Sequence, residues 1–290
     1  MSEAQPSSQD AVNGPSTEEQ RTLERRRGRS KRLAWLYGVP SWILFIVATV
    51  VMDRPPVNAQ SSQMREELTW IFDQISDRDD VRVAILTGTG NMFSAGADIK
   101  ERPNVGKQAG AYLRHNRVTR EFFYSIKDCA KPVIAAVNGP AMGAGYAAMV
   151  FADIMIASEN AFVSMPEIDV GLSGGMRMLR ELFGKSRARR MFFTGMRVTA
   201  QELYRLGVIE ACVPREQLME EALKIAREIA AKSPLAMKYA KEDANVVEEL
   251  SIRDAYRYEQ NITLALSKTE DAREAQMAFI EKRKPVFKGR

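Results

Sequence analysis

Asn138 to Asp153 reads NGPAMGAGYAAMVFAD and follows directly on the apolar run KPVIAAV, Lys131 to Val137. That run is short and β-branched at Val133, Ile134 and Val137, as suits a buried strand. The residues after it are mostly small, as suits a turn from strand into helix where a ligand can approach the main chain. At such a helix start the first N–H groups have no partner within the helix and point outward. The same composition recurs upstream in FSAGADIKE, Phe93 to Glu101. Two such turns facing one another would offer two N–H donors to one oxygen atom, an oxyanion hole. A phosphate cradle fits less well, because GPAMGAGYA lacks the Lys-Ser/Thr of a P-loop and does not spell GxGxxG. Close helix packing alone is the plainer alternative, and the two stretches by themselves leave it open.

Working outward, QMREELTWIFDQIS places Leu68, Ile71, Phe72 and Ile75 on one helical face. DDVRVAILTGTG predicts a strand from Val81 to Thr87 closed by a glycine turn, and QAGAYLRHNRVTREFFYSIKDC a second amphipathic helix. DIMIASENAFVSM, Asp153 to Met165, reads as two more strands. Strands alternating with helices at this spacing argue for a mostly parallel sheet layered with helices. From Met176 onward the pattern is mainly helical, and no repeat period appears.

Composition narrows the function. The net charge of +5 owes much to RTLERRRGRSKR, Arg21 to Arg32, and EKRKPVFKGR, Glu281 to Arg290. Neither is accompanied by an aromatic platform or a nucleic-acid motif, so solvated ends are expected rather than nucleic-acid binding. Cys129 and Cys212 show no CxxC spacing, so reduced thiols are expected, with neither a disulfide framework nor a metal site. The first twenty residues nearly lack large apolar side chains and are expected to be disordered. Leu33 to Met52, LAWLYGVPSWILFIVATVVM, is uncharged and follows a basic cluster, as a membrane anchor would. Gly38-Val39-Pro40-Ser41 interrupts it, and its second half is β-branched, which favours buried strand and a cytoplasmic protein with no membrane association.

Four motifs together resemble the crotonase superfamily, the enoyl-CoA hydratase/isomerase family. They are FSAGADIKE, KPVIAAVNGPAMGAG, MPEIDVGL (Met165 to Leu172) and EKRKPVFKG, in this order, and the likeness runs from about Val47 to Arg290. The resemblance implies an α/β fold: a spiral ββα core over residues 33–200 that binds acyl-CoA, preceded by the tail 1–32 and followed by a helical region 201–290. It also implies assembly as a homotrimer or hexamer. The substrate would be an acyl-CoA thioester, with CoA entering as part of the substrate and no separate cofactor.

The family stabilises a thioester enolate with two main-chain N–H groups, which map onto Ala97 and Ala144. Its hydratases use two glutamates. The second matches Glu167, whose neighbours Met165 and Pro166 imply apolar surroundings. The first falls on Ala147, and nothing ionisable follows until Asp153. Water addition without one carboxylate loses a general acid or base, whereas a single carboxylate can still move a proton from one carbon to another. Isomerase-type chemistry is therefore the more natural expectation. Another crotonase reaction (hydration of a specialised enoyl-CoA such as crotonobetainyl-CoA, thioester hydrolysis or decarboxylation) and a catalytically weak CoA-binding scaffold are the alternatives.

For CoA, the resemblance points to the loops Arg54 to Ala59 and Ser94 to Lys100, including Ala95, Asp98, Ile99 and Lys100. Phe279 and Lys282 near the C-terminus would approach the nucleotide. The chain also departs from the family pattern after PEIDVGL, where a longer loop is replaced by the direct passage into SGGMRML. Asp169 is expected in a loop or cap role and Tyr146 in packing. His115 is the sole histidine, expected on a polar helix face and not in catalysis.

Overall fold

The computed structural model describes residues 34–36, 46–101 and 108–290. The expected tail and most of the first half of the Leu33–Met52 run lie outside the described residues. The chain divides into a unit of residues 1–34, of which only Ala34 is described, and a unit of residues 35–290.

The larger sheet contains β1 (Ala34–Leu36), β2 (Ile46–Met52), β3 (Val81–Gly88), β4 (Val133–Val137), β6 (Ile154–Ser158) and β9 (Ala211–Val213). Its order is β1-β2-β3-β4-β6-β9, and the ladders from β2 to β9 are all parallel. A smaller sheet joins β5 (Ala141–Met142), β7 (Phe162–Ser164) and β8 (Val198–Thr199) in the order β5-β7-β8. The second half of the uncharged run is thus an interior strand, paired along its length with β3. Among the described residues, no helix is long and apolar enough to cross a membrane.

Side chains alternate across the pleat and so feed two cores. Ala84 and Leu86 of β3, with Val133, Ala135 and Val137 of β4, face the larger core. That core includes Leu68, Phe72 and Ile75 of α1 (Ser62–Asp77), Phe122 and Phe123 of α2 (Ala111–Lys127), and Tyr146 and Met149 of α3 (Ala144–Val150). Val83, Ile85, Ile134 and Ala136 face the other way, onto Leu218, Ala222, Ala226 and Ala230 of a helix spanning Leu218–Ala230. The four-residue spacing of those helical positions builds one apolar stripe, and its alanines let the helix lie close to the sheet. The segment 201–290, expected to be helical, therefore also supplies β9 and the helix that covers one face of the sheet. The brevity of Ala211–Val213 hides it from a periodicity reading.

Completing the helices in chain order, α4 is Met176–Leu182, α5 Lys185–Thr194, α6 Ala200–Arg205 and α7 the Leu218–Ala230 helix just described. α8 (Pro234–Val247), α9 (Ile252–Leu266) and α10 (Glu270–Ile280) complete the described α-helices.

A buried ion pair fastens α8 to the sheet. Lys241 Nζ lies 2.5 Å from Asp153 Oδ1, with the lysine side chain only 4% exposed. Asp153 Oδ2 accepts from the Val133 N–H at 2.7 Å. Removing one member of such a pair strands the other charge. Lys241→Met is expected to cost about 3 kcal/mol in urea unfolding. Adding Asp153→Asn, which removes the stranded charge and keeps an acceptor for Val133, is expected to restore part of that loss. A double variant no more stable than the single would contradict this reading of the pair.

Candidate active site

The two small-residue turns lie side by side. Ser94 and Ala141 form a parallel bridge, and Met142 N donates to Ser94 O at 2.9 Å. Beyond that bridge, Gly96 comes up against Met142 and Ala144. The approach is close because Gly96 has no side chain. A β-carbon there would lie 2.6 Å from Met142 O and 3.0 Å from Ala144 N, and its φ of +90° disfavours any other residue.

Both alanine amides are directed away from the elements that flank them. Ala97 bridges Gln60 through bonds made by its neighbours, Gln60 N to Gly96 O and Asp98 N to Gln60 O. In a parallel bridge this pattern turns the N–H of the bridging residue to the opposite side. Ala144 opens α3, where an N–H has no intrahelical acceptor. Both residues border one cavity of about 460 Å³, together with Gly143, Ala147, Met165 and Glu167.

Glu167 reaches that cavity from a short 3-10 turn, Pro166–Val170. Its Oε2 is shut from solvent. Its Oε1 lies 2.6 Å from where a β-carbon on residue 143 would stand, and Gly143 has φ +53°. The carboxyl therefore occupies the space that glycine leaves open, directly beside the peptide that carries the Ala144 N–H. Ala147 is 2% exposed and presents only a methyl group to the same cavity. The shortened passage after PEIDVGL also contributes, through Leu172, Ser173, Gly174 and Gly175.

Other groups considered from the sequence sit elsewhere. Asp153 is engaged by Lys241 and Val133. Asp169 is exposed, and its carboxyl lies near Gly195. Tyr146 is fully buried and donates its hydroxyl to Met178 O at 3.2 Å, and burial pushes its phenol well above its ordinary range.

The two loops expected beside CoA are locked to each other. Arg54 pairs with Asp98 at 2.6 Å and donates to Ala59 O at 2.8 Å. Burial pushes the Asp98 carboxyl up, but the Lys100 amide and the Arg54 guanidinium outweigh it and hold the carboxyl below its ordinary value. The Ala95 N–H is taken by Val57 O. Ile99 and Lys100 project into solvent next to this ledge. Phe279 is 85% exposed and Lys282 is exposed at the end of α10, and neither borders the cavity.

Sequence reasoning missed one wall. Tyr112, His115, Asn116, Thr119 and Phe123 of α2 line the cavity. Their spacing of three and four residues is a helical face, but a mixed one, so hydropathy alone does not reveal it. His115 lies on this cavity face and not simply on a solvated one. Arg65 of α1, 1% exposed, completes the wall, although its charge marks it for the surface.

Comparison with known proteins agrees with this fold. Residues 46–290 match the model of the family described as enoyl-CoA hydratase/isomerase. The chain is 36% identical over 239 residues to a (7aS)-7a-methyl-1,5-dioxo-2,3,5,6,7,7a-hexahydro-1H-indene-carboxyl-CoA hydrolase of Rhodococcus jostii, covering 82% of this chain and 92% of that one. It is 36% identical over 257 residues to a carnitinyl-CoA dehydratase of Proteus mirabilis, covering 84% and 95%. The crystal structure of an enoyl-CoA hydratase from Bacillus anthracis superposes with a TM-score of 0.81 at 32% identity, over 89% of this chain and 100% of that one.

Proposed function

Since this chain belongs to the enoyl-CoA hydratase/isomerase family, we propose that it is an acyl-CoA enzyme working through a thioester enolate. The amides of Ala97 and Ala144 hold the thioester oxygen, and Glu167 moves the proton. The observation that carries this reading is the Glu167 carboxyl lying against Gly143, the residue that precedes one of the two amides. As the α-proton leaves, negative charge builds on the thioester oxygen, where fixed N–H dipoles stabilise it without reorganising. The same carboxylic acid then returns the proton to another carbon, or to the other face of the same one.

With only a methyl group from Ala147 in the cavity wall, this chemistry is isomerisation or epimerisation more naturally than water addition. A second reading, thioester hydrolysis or dehydration of a specialised acyl-CoA, is favoured by the names of two relatives, a CoA hydrolase and a carnitinyl-CoA dehydratase. CoA enters as part of the substrate, along the ledge of Arg54, Ala95 and Lys100, and no further cofactor is required. Exposed Ile252, Leu264, Phe279 and Ile280 on the last two helices support assembly into trimers or hexamers. The site needs nothing from a membrane, and a cytoplasmic setting suits it.

Incubation with 3-enoyl-CoA and, separately, with trans-2-enoyl-CoA tests the preferred reaction. The 3-enoyl thioester is expected to be converted to the 2-enoyl isomer faster than the 2-enoyl thioester is hydrated. Rapid hydration of the 2-enoyl substrate alone would reject the isomerase preference. Binding without turnover across a wider thioester panel would point to a CoA-binding scaffold.

A further inference from the structure

The cavity beside Glu167 is larger than the proposed proton transfer needs, and its lining bears on the acyl group. The apolar part comes from Phe123, Ala147, Met165, Leu172 and Met178. Among the polar groups of the wall, Arg65 donates to Thr119 Oγ1 at 2.7 Å, and Thr119 donates in turn to His115 O at 2.8 Å. These groups are engaged with one another, so the wall demands no polar substituent on the substrate. Two methionines meet at one glycine. A β-carbon on Gly175 would collide with the Met165 methyl group and stand 4.0 Å from Met178 Sδ, and φ there is +83°. The glycine thus leaves room for both thioethers. Methionine is unbranched and readily repacked, so this wall adjusts to acyl groups of different shape.

Size and an open edge point the same way. The cavity measures about 460 Å³. At roughly 30 Å³ per water-sized group, that is space for on the order of fifteen such groups. A butyryl thioester would leave much of it to water. Ser173 and Gly174, on the short passage after PEIDVGL, border the cavity and are exposed, so it is not sealed there. Building on the acyl-CoA reading above, we propose that the acyl group is a large apolar one of about eight or more carbon atoms, whose far end leaves the cavity past Gly174. The substrate class is then the medium- and long-chain acyl-CoA thioesters.

The test is calorimetric titration of the full-length protein with butyryl-, hexanoyl-, octanoyl-, decanoyl- and dodecanoyl-CoA, each below its micellar concentration, with free CoA as the baseline. Decanoyl-CoA is expected to bind at least about tenfold tighter than butyryl-CoA, since each fully buried methylene contributes up to about fourfold. Dodecanoyl-CoA is expected to bind within about threefold of decanoyl-CoA, because the added carbons run into solvent. Tightest binding at butyryl- or hexanoyl-CoA would overturn the proposal, and so would a loss of more than about tenfold from decanoyl to dodecanoyl, the mark of a closed end. This series needs no variant to fold. Gly174→Phe tests the path. A β-carbon there would meet nothing within 4 Å, so the ring can be accommodated at the open edge. The variant is expected to lower the decanoyl-to-butyryl affinity ratio by about threefold or more, because the chain must bend back from the ring. A ratio unaltered by the ring would place the chain elsewhere and overturn the proposal. Should no thioester bind better than free CoA, the acyl-CoA reading itself fails, and the proposal with it.

Discussion

Glu167→Gln is expected to lower turnover of an acyl-CoA substrate by roughly 10²–10⁴-fold while leaving binding nearly unchanged. Glutamine keeps the shape of the side chain that fills the space beside Gly143, so the cavity and the two amides stay in place. What it removes is the capacity to accept and return a proton. The loss is therefore expected in kcat and not in KM, the signature of an interaction needed only in the transition state. Exchange of the thioester α-protons with deuterium oxide, followed by NMR on a saturated analogue, isolates the step. Exchange catalysed by the unmodified protein is expected to vanish in the variant. Exchange persisting within about threefold of the original rate would remove Glu167 from the proton-transfer role, since loss of a general base costs far more than that.

The second large effect is expected from Gly143→Ala, a single methyl group. Residue 143 has φ +53° and ψ −119°, a conformation that only glycine adopts at low cost. The added carbon would stand 2.6 Å from Glu167 Oε1. Relief requires the carboxyl to swing out, the 143–144 peptide to rotate, or both. Either movement damages the site, because the same peptide carries the Ala144 N–H. The expected loss in kcat is about 10²–10³-fold, the usual consequence of losing one oxyanion donor. Combining Gly143→Ala with Glu167→Gln is expected to cost much less than the product of the separate effects, because the two residues act as one unit. Multiplicative losses would mean that the glycine and the carboxyl contribute independently, which their contact does not allow.

Much of this architecture was legible in the chain, for reasons particular residues make plain. β3 and β4 send alternate side chains to two cores, so both faces are largely buried and the strands read as apolar runs, interrupted in β3 by Arg82. Such runs survive any tertiary context. The turns at 94–97 and 141–144 were legible because close approach of two backbones excludes side chains, which leaves the sequence rich in glycine and alanine. β9 was not legible. It is three residues long and owes its place to the ladder with Ile156, Ala157 and Ser158, a long-range pairing with no local signature. The cavity wall of α1 and α2 stayed hidden for a different reason. Arg65 is polar by type but buried by position, and its partners Thr119 and Gln60 come from separate segments. His115 and Asn116 look like members of a solvated face until the cavity beside that face is known. A site residue held by tertiary contacts obeys the chemistry of its pocket and not the periodicity of its helix.

The central claim is that one thioester oxygen is gripped by two main-chain amides while a single carboxyl works beside it. It is tested most directly by a crystal structure with a bound, unreactive acyl-CoA. The account predicts the thioester oxygen about 2.7–3.1 Å from both Ala97 N and Ala144 N, with the Glu167 carboxyl facing the α-carbon. A thioester oxygen remote from either amide, or a Glu167 carboxyl turned away to solvent, would contradict it.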